Sequence, residues 1–312
     1  MNAPFFSIVI PVFNRQREIR RAIDSCLSQD HSNFELILVD DASQDDSIQV
    51  IASYADPRVR LVCHAKNRGE CPARNTGVEA AKGEWVVFVD SDHALKPGAL
   101  RRIHHFIESD LDNIDRIGFM QDWDTGITTP QPAPDASLLD YRGWLRFIES
   151  AVLSDFLLCT RRFTFDSVKW PDSSVAPTEY HLDFAQRFTT RLIPETLAIQ
   201  YTDSSNRLTA GHQRPSRTKL KIRAAHDVAS RKRMLERHGE ALRIFAPRIH
   251  ELTCRVLVLS CFIRGEWREG LRQAMHYFSF CKIDWNGAGS IALAGIWTEG
   301  FLRVRHQRML RG

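Results

Sequence analysis

Four short apolar runs, set apart by helical patterns, constrain this chain more than any other feature. They lie at residues 7–10, 34–39, 59–62 and 85–89. Each has the length of a strand, and their near-continuous apolar character suits strands covered on both faces. Between the first two runs, Ile19, Ala22, Ile23, Cys26 and Leu27 recur at three-to-four spacing, the apolar side of a helix. After the second run, Ser43 reads as an N-cap with Asp46 as its capping-box partner, opening a helix through Ile48, Ile51 and Tyr54. Residues 73–81 form a third helical stretch, stopped by Gly83. This repetition predicts an α/β fold, a mostly parallel, Rossmann-like sheet with helices on both faces.

Ligands of such sheets bind at the carboxyl ends of the strands. Three polar clusters fall there: Pro11 to Asn14, Asp40-Asp41, and Asp90-Ser91-Asp92-His93. Alternate carboxylates at the end of a buried strand repel one another, and a divalent cation between them and an anionic ligand relieves that repulsion. The spacing therefore points to a metal-assisted diphosphate site. Neither a Gly-x-Gly-x-x-Gly loop after the first strand nor a Gly-Lys-Ser/Thr loop is present, so phosphate falls to the metal and to basic side chains. Gly287-Ala288-Gly289-Ser290, late in the chain, reads as a turn.

Four stretches resemble the family 2 glycosyltransferases, whose catalytic domain is called GT-A. They are Ser7-Ile8-Val9-Ile10-Pro11-Val12-Phe13-Asn14; Leu38-Val39-Asp40-Asp41-Ala42-Ser43 with Asp45; Asn67-Arg68-Gly69 leading to Ala73-Arg74-Asn75-Thr76-Gly77; and Gly83-Glu84-Trp85 through Asp92. Order and spacing fit over residues 5–100. The resemblance implies that Pro11, Phe13, Asn14, Asp41, Arg74, Asp90 and Ser91 contact a nucleotide-diphospho-sugar, a UDP-sugar above others. Asp41 would read the base, a carboxylate being a pure acceptor suited to an imide N–H. Asp90 would lie near the ribose. Asp92 would hold Mg²⁺ or Mn²⁺ with the diphosphate oxygens, as hard cations prefer. Arg74 would be a fixed cation near the phosphates or the partner of a neighbouring acid. His93 stands where a further Asp is common, either as a metal ligand or behind one.

Inverting transfer needs a general base for the acceptor hydroxyl. The resembling family supplies it from a Glu-Asp pair opening a helix. Here the region reads Pro177-Thr178-Glu179-Tyr180-His181-Leu182-Asp183-Phe184-Ala185-Gln186-Arg187, and the pair is broken. Glu179 comes first as candidate base, then His181, then Asp183. With Thr178 as N-cap, Glu179 would face out of the helix end. The alternative is that Glu179 only supports the helix start while Asp183 pairs with Arg187. A chain without a base would be a degenerate nucleotide-binding or scaffold relative.

Charge divides the chain. Residues 1–213 hold 22 Lys/Arg against 30 Asp/Glu, and 214–312 hold 20 against 8. A boundary near 210 is expected, with a GT-A domain over 1–210 and a basic, amphipathic helical region over 211–312. Three readings of that tail stand open: a solvated face, contact with an anionic membrane, or nucleic acid, the last ranked lowest because no recognition motif accompanies the charge. A lipid-linked saccharide acceptor would make peripheral contact with the inner face of the cell membrane useful. The seven cysteines form no Cys-x-x-Cys pair, no signal peptide is evident, and the apolar windows at 252–263 and 291–302 are too short to span. The expected setting is cytoplasmic, and the expected pathway surface polysaccharide or lipopolysaccharide assembly.

Overall fold

A computed structural model describes residues 4–109, 114–151, 155–172, 178–203 and 217–280. Expectations for Pro177, for the turn at 287–290 and for the window at 291–302 lie outside the described residues. The chain divides into two compact units, 1–206 and 207–312.

The first unit begins β1 (Phe6–Val12), α1 (Ile19–Leu27), β2 (Phe34–Asp40), α2 (Ser47–Ala52), β3 (Val59–Cys63), α3 (Glu70–Ala80) and β4 (Trp85–Phe88). It continues with β5 (His93–Leu95), α4 (Ala99–Ser109), β6 (Arg116–Trp123), β7 (Thr128–Thr129), β8 (Leu138–Leu139) and α5 (Tyr141–Ser150). Then come β9 (Leu157–Arg161), a 3-10 turn (Arg162–Asp166), α6 (Thr178–Ala185) and β10 (Thr190–Gln200). The strands form one sheet in the order β3-β2-β1-β4-β9-β6-β10-β5, with β7 beside β6 and β8 beside β10.

The four apolar runs become the parallel half, β3-β2-β1-β4, in register with Val12 opposite Asp40 and Val9 opposite Phe88. β2 is buried along its whole length, which is why its sequence does not alternate. Parallel order then breaks. β9 inserts between β4 and β6 and runs antiparallel to both, so the sheet is mixed. β5 is a strand the sequence did not announce, and it pairs antiparallel with the end of β10.

Two aspartates and a serine thus occupy a tight turn, closed by His93 N donating to Asp90 O at 2.9 Å, between β4 and β5. α3 lies against β1 at Gly77, where an added Cβ would collide with the Val9 side chain. That close approach brings the amino end of α3 to the carboxyl end of the sheet.

The N-cap expected at Ser43 is not formed. α2 begins at Ser47, with no side-chain cap from Asp46. Ala42 turns the chain at φ 61°, and the Ser43 hydroxyl instead accepts from Asn14 N at 2.9 Å. Ser43 N in turn donates to Asp40 Oδ2 at 3.0 Å, so the residue is tied to the strand end rather than to the helix.

The second unit comprises α7 (Arg217–Phe245), α8 (Pro247–Arg264) and α9 (Trp267–Phe280). Pro247 opens α8, and Gly265 at φ 83° ends it in the left-handed conformation. Phe262, Ala274, Tyr277, Cys254 and Val258 join α8 to α9. Among the described residues no helix is long and apolar enough to cross a membrane.

Candidate active site

Three loops at the carboxyl ends of β1, β2 and β4 build the site. The first two are laced together. Gln44 N donates to Asn14 Oδ1 at 2.8 Å, Arg15 N to Ser47 Oγ at 2.7 Å and Gln16 N to Asp45 Oδ2 at 3.1 Å. Asn14, itself at φ 53°, therefore spends its side-chain oxygen on the neighbouring loop. Pro11 is partly buried in β1, whereas the Phe13 ring is 39 % exposed at the strand end.

Asp41 is nearly enclosed. Its carboxylate accepts from Arg68 N at 2.9 Å, Gly69 N at 2.7 Å and His64 Nδ1 at 2.7 Å. His64 Nε2 in turn meets Thr76 Oγ1 at 2.8 Å. A base N–H reaching Asp41 would share or displace one of these donors. In the ligand-free chain this aspartate organises the loop that leads into α3, which the motif alone does not reveal.

Arg74 is the centre of charge. Its Nη2 lies 2.7 Å from Asp90 Oδ1 and 2.5 Å from Glu70 Oε1. Burial works against the guanidinium charge, but Glu70 and Asp90 outweigh it and raise its pKa. Burial likewise disfavours the Asp90 carboxylate, yet Arg74 and His93 hold it below the usual range. Glu70 goes the other way: Arg74 favours its charge, while burial and the carboxylates of Asp90 and Asp92 together raise it. Of the two readings offered for Arg74, the pairing with neighbouring acids is formed here, to Glu70 and Asp90. Glu70 was not anticipated.

Ser91 is buried and accepts from Arg15 Nε at 3.1 Å, so a second cation reaches the turn from the β1 loop. His93 Nε2 stands 3.6 Å from Asp92 Oδ1 and 3.9 Å from Asp90 Oδ2, between the two carboxylates. Oxygen donors from Asp90 and Asp92 suit Mg²⁺ or Mn²⁺. Among the described residues no group of three or more His, Cys, Asp or Glu side chains is placed to hold a metal. A cation held by these two carboxylates would have to take its remaining ligands from phosphate and water.

The floor of the site is aromatic. Trp170 N donates to Asn75 Oδ1 at 3.0 Å and Trp170 O accepts from Asn75 Nδ2 at 2.9 Å, fixing the indole beside α3. Its ring lies 4.6 Å from the Arg74 guanidinium and stacks on Tyr180 at 3.8 Å and 18°. Nothing in the local sequence marked Trp170, because its partners come from distant segments.

The three candidate bases share α6. Glu179 lies in its first turn and is 2 % exposed. Its charge reaches Cys71 in the first turn of α3, whose thiol is pushed up to about 12, chiefly by burial. Asp183, one turn on, is half-buried near Tyr141 of α5, whose hydroxyl is raised to about 12 by burial and then by Asp183. Tyr180, which follows Glu179 where the pair would place an aspartate, is buried under Trp170 with its hydroxyl beside Arg116.

His181 is a poor base in this arrangement. Its Nδ1 faces Arg116 Nη1 at 3.1 Å, and a guanidinium can only donate. Burial, then the charges of Arg116 and Arg74, drive its pKa well below the ordinary histidine value.

Residues 7–147 match the model of glycosyl transferase family 2. The succinoglycan biosynthesis protein ExoO of Rhizobium meliloti is 41 % identical over 100 residues, covering 32 % of this chain and 29 % of that protein. Matches to the curated relatives span less than half of their lengths. Among solved structures, Staphylococcus aureus TarS residues 1–349 with UDP-GlcNAc superimposes with a TM-score of 0.59 at 15 % identity, covering 88 % of this chain and 89 % of that one. The mannosyltransferase PcManGT of Pyrobaculum calidifontis, with GDP-Man and Mn²⁺, gives 0.54 at 18 % identity, covering 99 % and 85 %. Residues 7–147 thus match the model of family 2 glycosyl transferases, and the mixed sheet shares the fold of these glycosyltransferase structures, followed along the sequence by a helical region.

Proposed function

We propose that this chain is an inverting glycosyltransferase of surface polysaccharide or lipopolysaccharide biosynthesis. It takes a sugar from a nucleotide-diphospho-sugar, a UDP-sugar above others, and passes it to a glycan or lipid-linked saccharide. The observation that carries this reading is the gathering of Asp90, Asp92, His93, Glu70 and Arg74 at the end of β4. Three carboxylates around one guanidinium leave a surplus of negative charge, and a divalent cation bridging to a diphosphate would neutralise it.

Asp92 would hold that cation with phosphate oxygens, and His93 beside it would complete or orient the contact. Bound there, the cation would offset charge on the departing nucleoside diphosphate. Arg74 and Arg15 add fixed positive charge on the same side. Asp41, with Phe13 and Pro11 at the strand end, would line the nucleoside. Glu179 would take the proton of the acceptor hydroxyl as its oxygen bonds to the anomeric carbon and the bond to the diphosphate oxygen breaks. The displacement is single and leaves no sugar on the protein.

Titration calorimetry with UDP and Mn²⁺ tests the donor half. Binding that needs Mn²⁺ and vanishes in Asp92→Ala is expected; binding indifferent to both changes would sink the metal assignment. Glu179→Gln should bind UDP normally yet transfer at least about a hundredfold more slowly, the scale of a lost general base. Normal transfer by that variant would pass the role to Asp183.

We also propose that the second unit touches an anionic membrane surface. Trp267, Leu271 and Met275 are 52 %, 58 % and 68 % exposed and share one face of α9. Arg268, Arg272 and His276, also exposed, stand beside them in turn. Large apolar side chains rimmed by basic ones suit the headgroup boundary of a bilayer.

A further inference from the structure

Arg116 is the most unusual charged group in the first unit. It opens β6, is completely buried, and is one of the largest fully enclosed side chains of the protein. Among the described residues it forms no ion pair with a carboxylate, and burial lowers its pKa to about 10. An arginine held this way is costly, so its contacts carry information. Its Nε donates to Thr190 Oγ1 at 3.0 Å, across the β6–β10 register. Its guanidinium carbon lies 4.0 Å from the Phe184 ring and 4.8 Å from the Trp144 ring. One terminal nitrogen, Nη1, reaches His181 Nδ1 at 3.1 Å, and the guanidinium also lies beside the Tyr180 hydroxyl, which favours its charge.

The hydrogen bond to His181 has a fixed direction. Guanidinium has no lone pair to offer, so Nδ1 must be bare, and the single proton of the neutral ring resides on Nε2. His181 is further confined by Tyr180, Trp170 and Trp144, at centroid distances of 5.2, 5.6 and 5.8 Å. The ring is thus anchored from the sheet, through Arg116, and from the aromatic floor that carries Arg74.

We infer that Arg116 is a positioning residue: it holds His181 as the neutral Nε2–H tautomer and thereby pins the first turn of α6, which carries Glu179. This goes beyond the transferase reading and rests on it only for the role of Glu179. It removes His181 from the candidate bases and gives the buried arginine a purpose.

The tautomer is read by ¹⁵N–¹H correlation spectroscopy of the histidine rings, which needs no activity. The His181 signals should show a bare Nδ1 and a protonated Nε2, unchanged between pH 6 and 8. Arg116→Met, which keeps the shape of the stem, should give a mixture of tautomers. That variant should lower kcat about tenfold while leaving the affinity for UDP with Mn²⁺ within twofold. His181→Asn places an amide oxygen close to Nδ1 and should restore most of the rate lost in His181→Ala, whereas His181→Gln should not. A Nδ1–H tautomer, or equal loss in all three His181 variants with folding intact, overturns the inference. Absent transfer in the unaltered protein with the tautomer as stated would refute the transferase reading instead.

Discussion

Arg74 Nη2 lies 2.7 Å from Asp90 Oδ1 while the same nitrogen lies 2.5 Å from Glu70 Oε1. One guanidinium nitrogen thus serves two acids whose pKa values move in opposite directions. Asp90 sits below its usual pKa because Arg74 and His93 outweigh its burial, and Glu70 sits above because burial, with Asp90 and Asp92 added to it, outweighs Arg74.

This division sets a pH dependence. A raised carboxyl binds its proton more tightly folded than unfolded, so its contribution is present below the ordinary glutamate value and lost as pH climbs through the raised one. Asp90 runs oppositely: its contribution is present above the ordinary aspartate range and lost as pH falls through the lowered value. Glu70→Gln should therefore gain stability relative to the unaltered chain as pH rises from 4 to 7. Urea midpoints across that interval measure it, and a flat difference would remove Glu70 as a source of strain.

Asp41 makes a separate prediction. Asp41→Asn turns one acceptor oxygen into a donor facing Gly69 N, Arg68 N or His64. Losing a charge-assisted acceptor for buried donors costs about 2 kcal/mol. Denaturant unfolding should show that loss, and affinity for UDP should fall in the same variant. Unchanged stability would mean that the loop before α3 is held by other contacts.

For α9, Leu271→Glu places a carboxylate in the middle of the exposed stripe. Cosedimentation with vesicles containing phosphatidylglycerol should drop at least about tenfold, since each basic residue near such a surface contributes about 1 kcal/mol and the new acid opposes it. Equal binding to purely zwitterionic vesicles would show that the basic rim plays no part.

Much of the donor half was legible in the sequence because it depends on short-range chemistry. Apolar runs at 7–10, 34–39 and 85–89 forecast β1, β2 and β4, and the polar residues after them had to fall at strand ends. Ser43 was misread for a tertiary reason: its local pattern fits a cap, but Asn14 N, 29 residues away, claims the hydroxyl. The acceptor half was harder still. Glu179, His181 and Asp183 can be ranked along the chain, but their surroundings, Arg116 and Trp144 on His181 and Tyr141 near Asp183, come from distant segments.

The sequence by itself determined the four strands of the parallel half, the place of Asp90 to His93 at a strand end and the family resemblance, since each follows from residue type and spacing along one segment. Tertiary structure alone decided which partners those residues meet. Arg15 on Ser91, Trp170 beneath Arg74, Glu70 against Asp90 and Arg116 on His181 each join segments that the sheet brings together. The physical reason is burial: inside the fold, a charge or ring acquires its function from whichever neighbour solvates it in place of water, and a linear pattern does not name that neighbour.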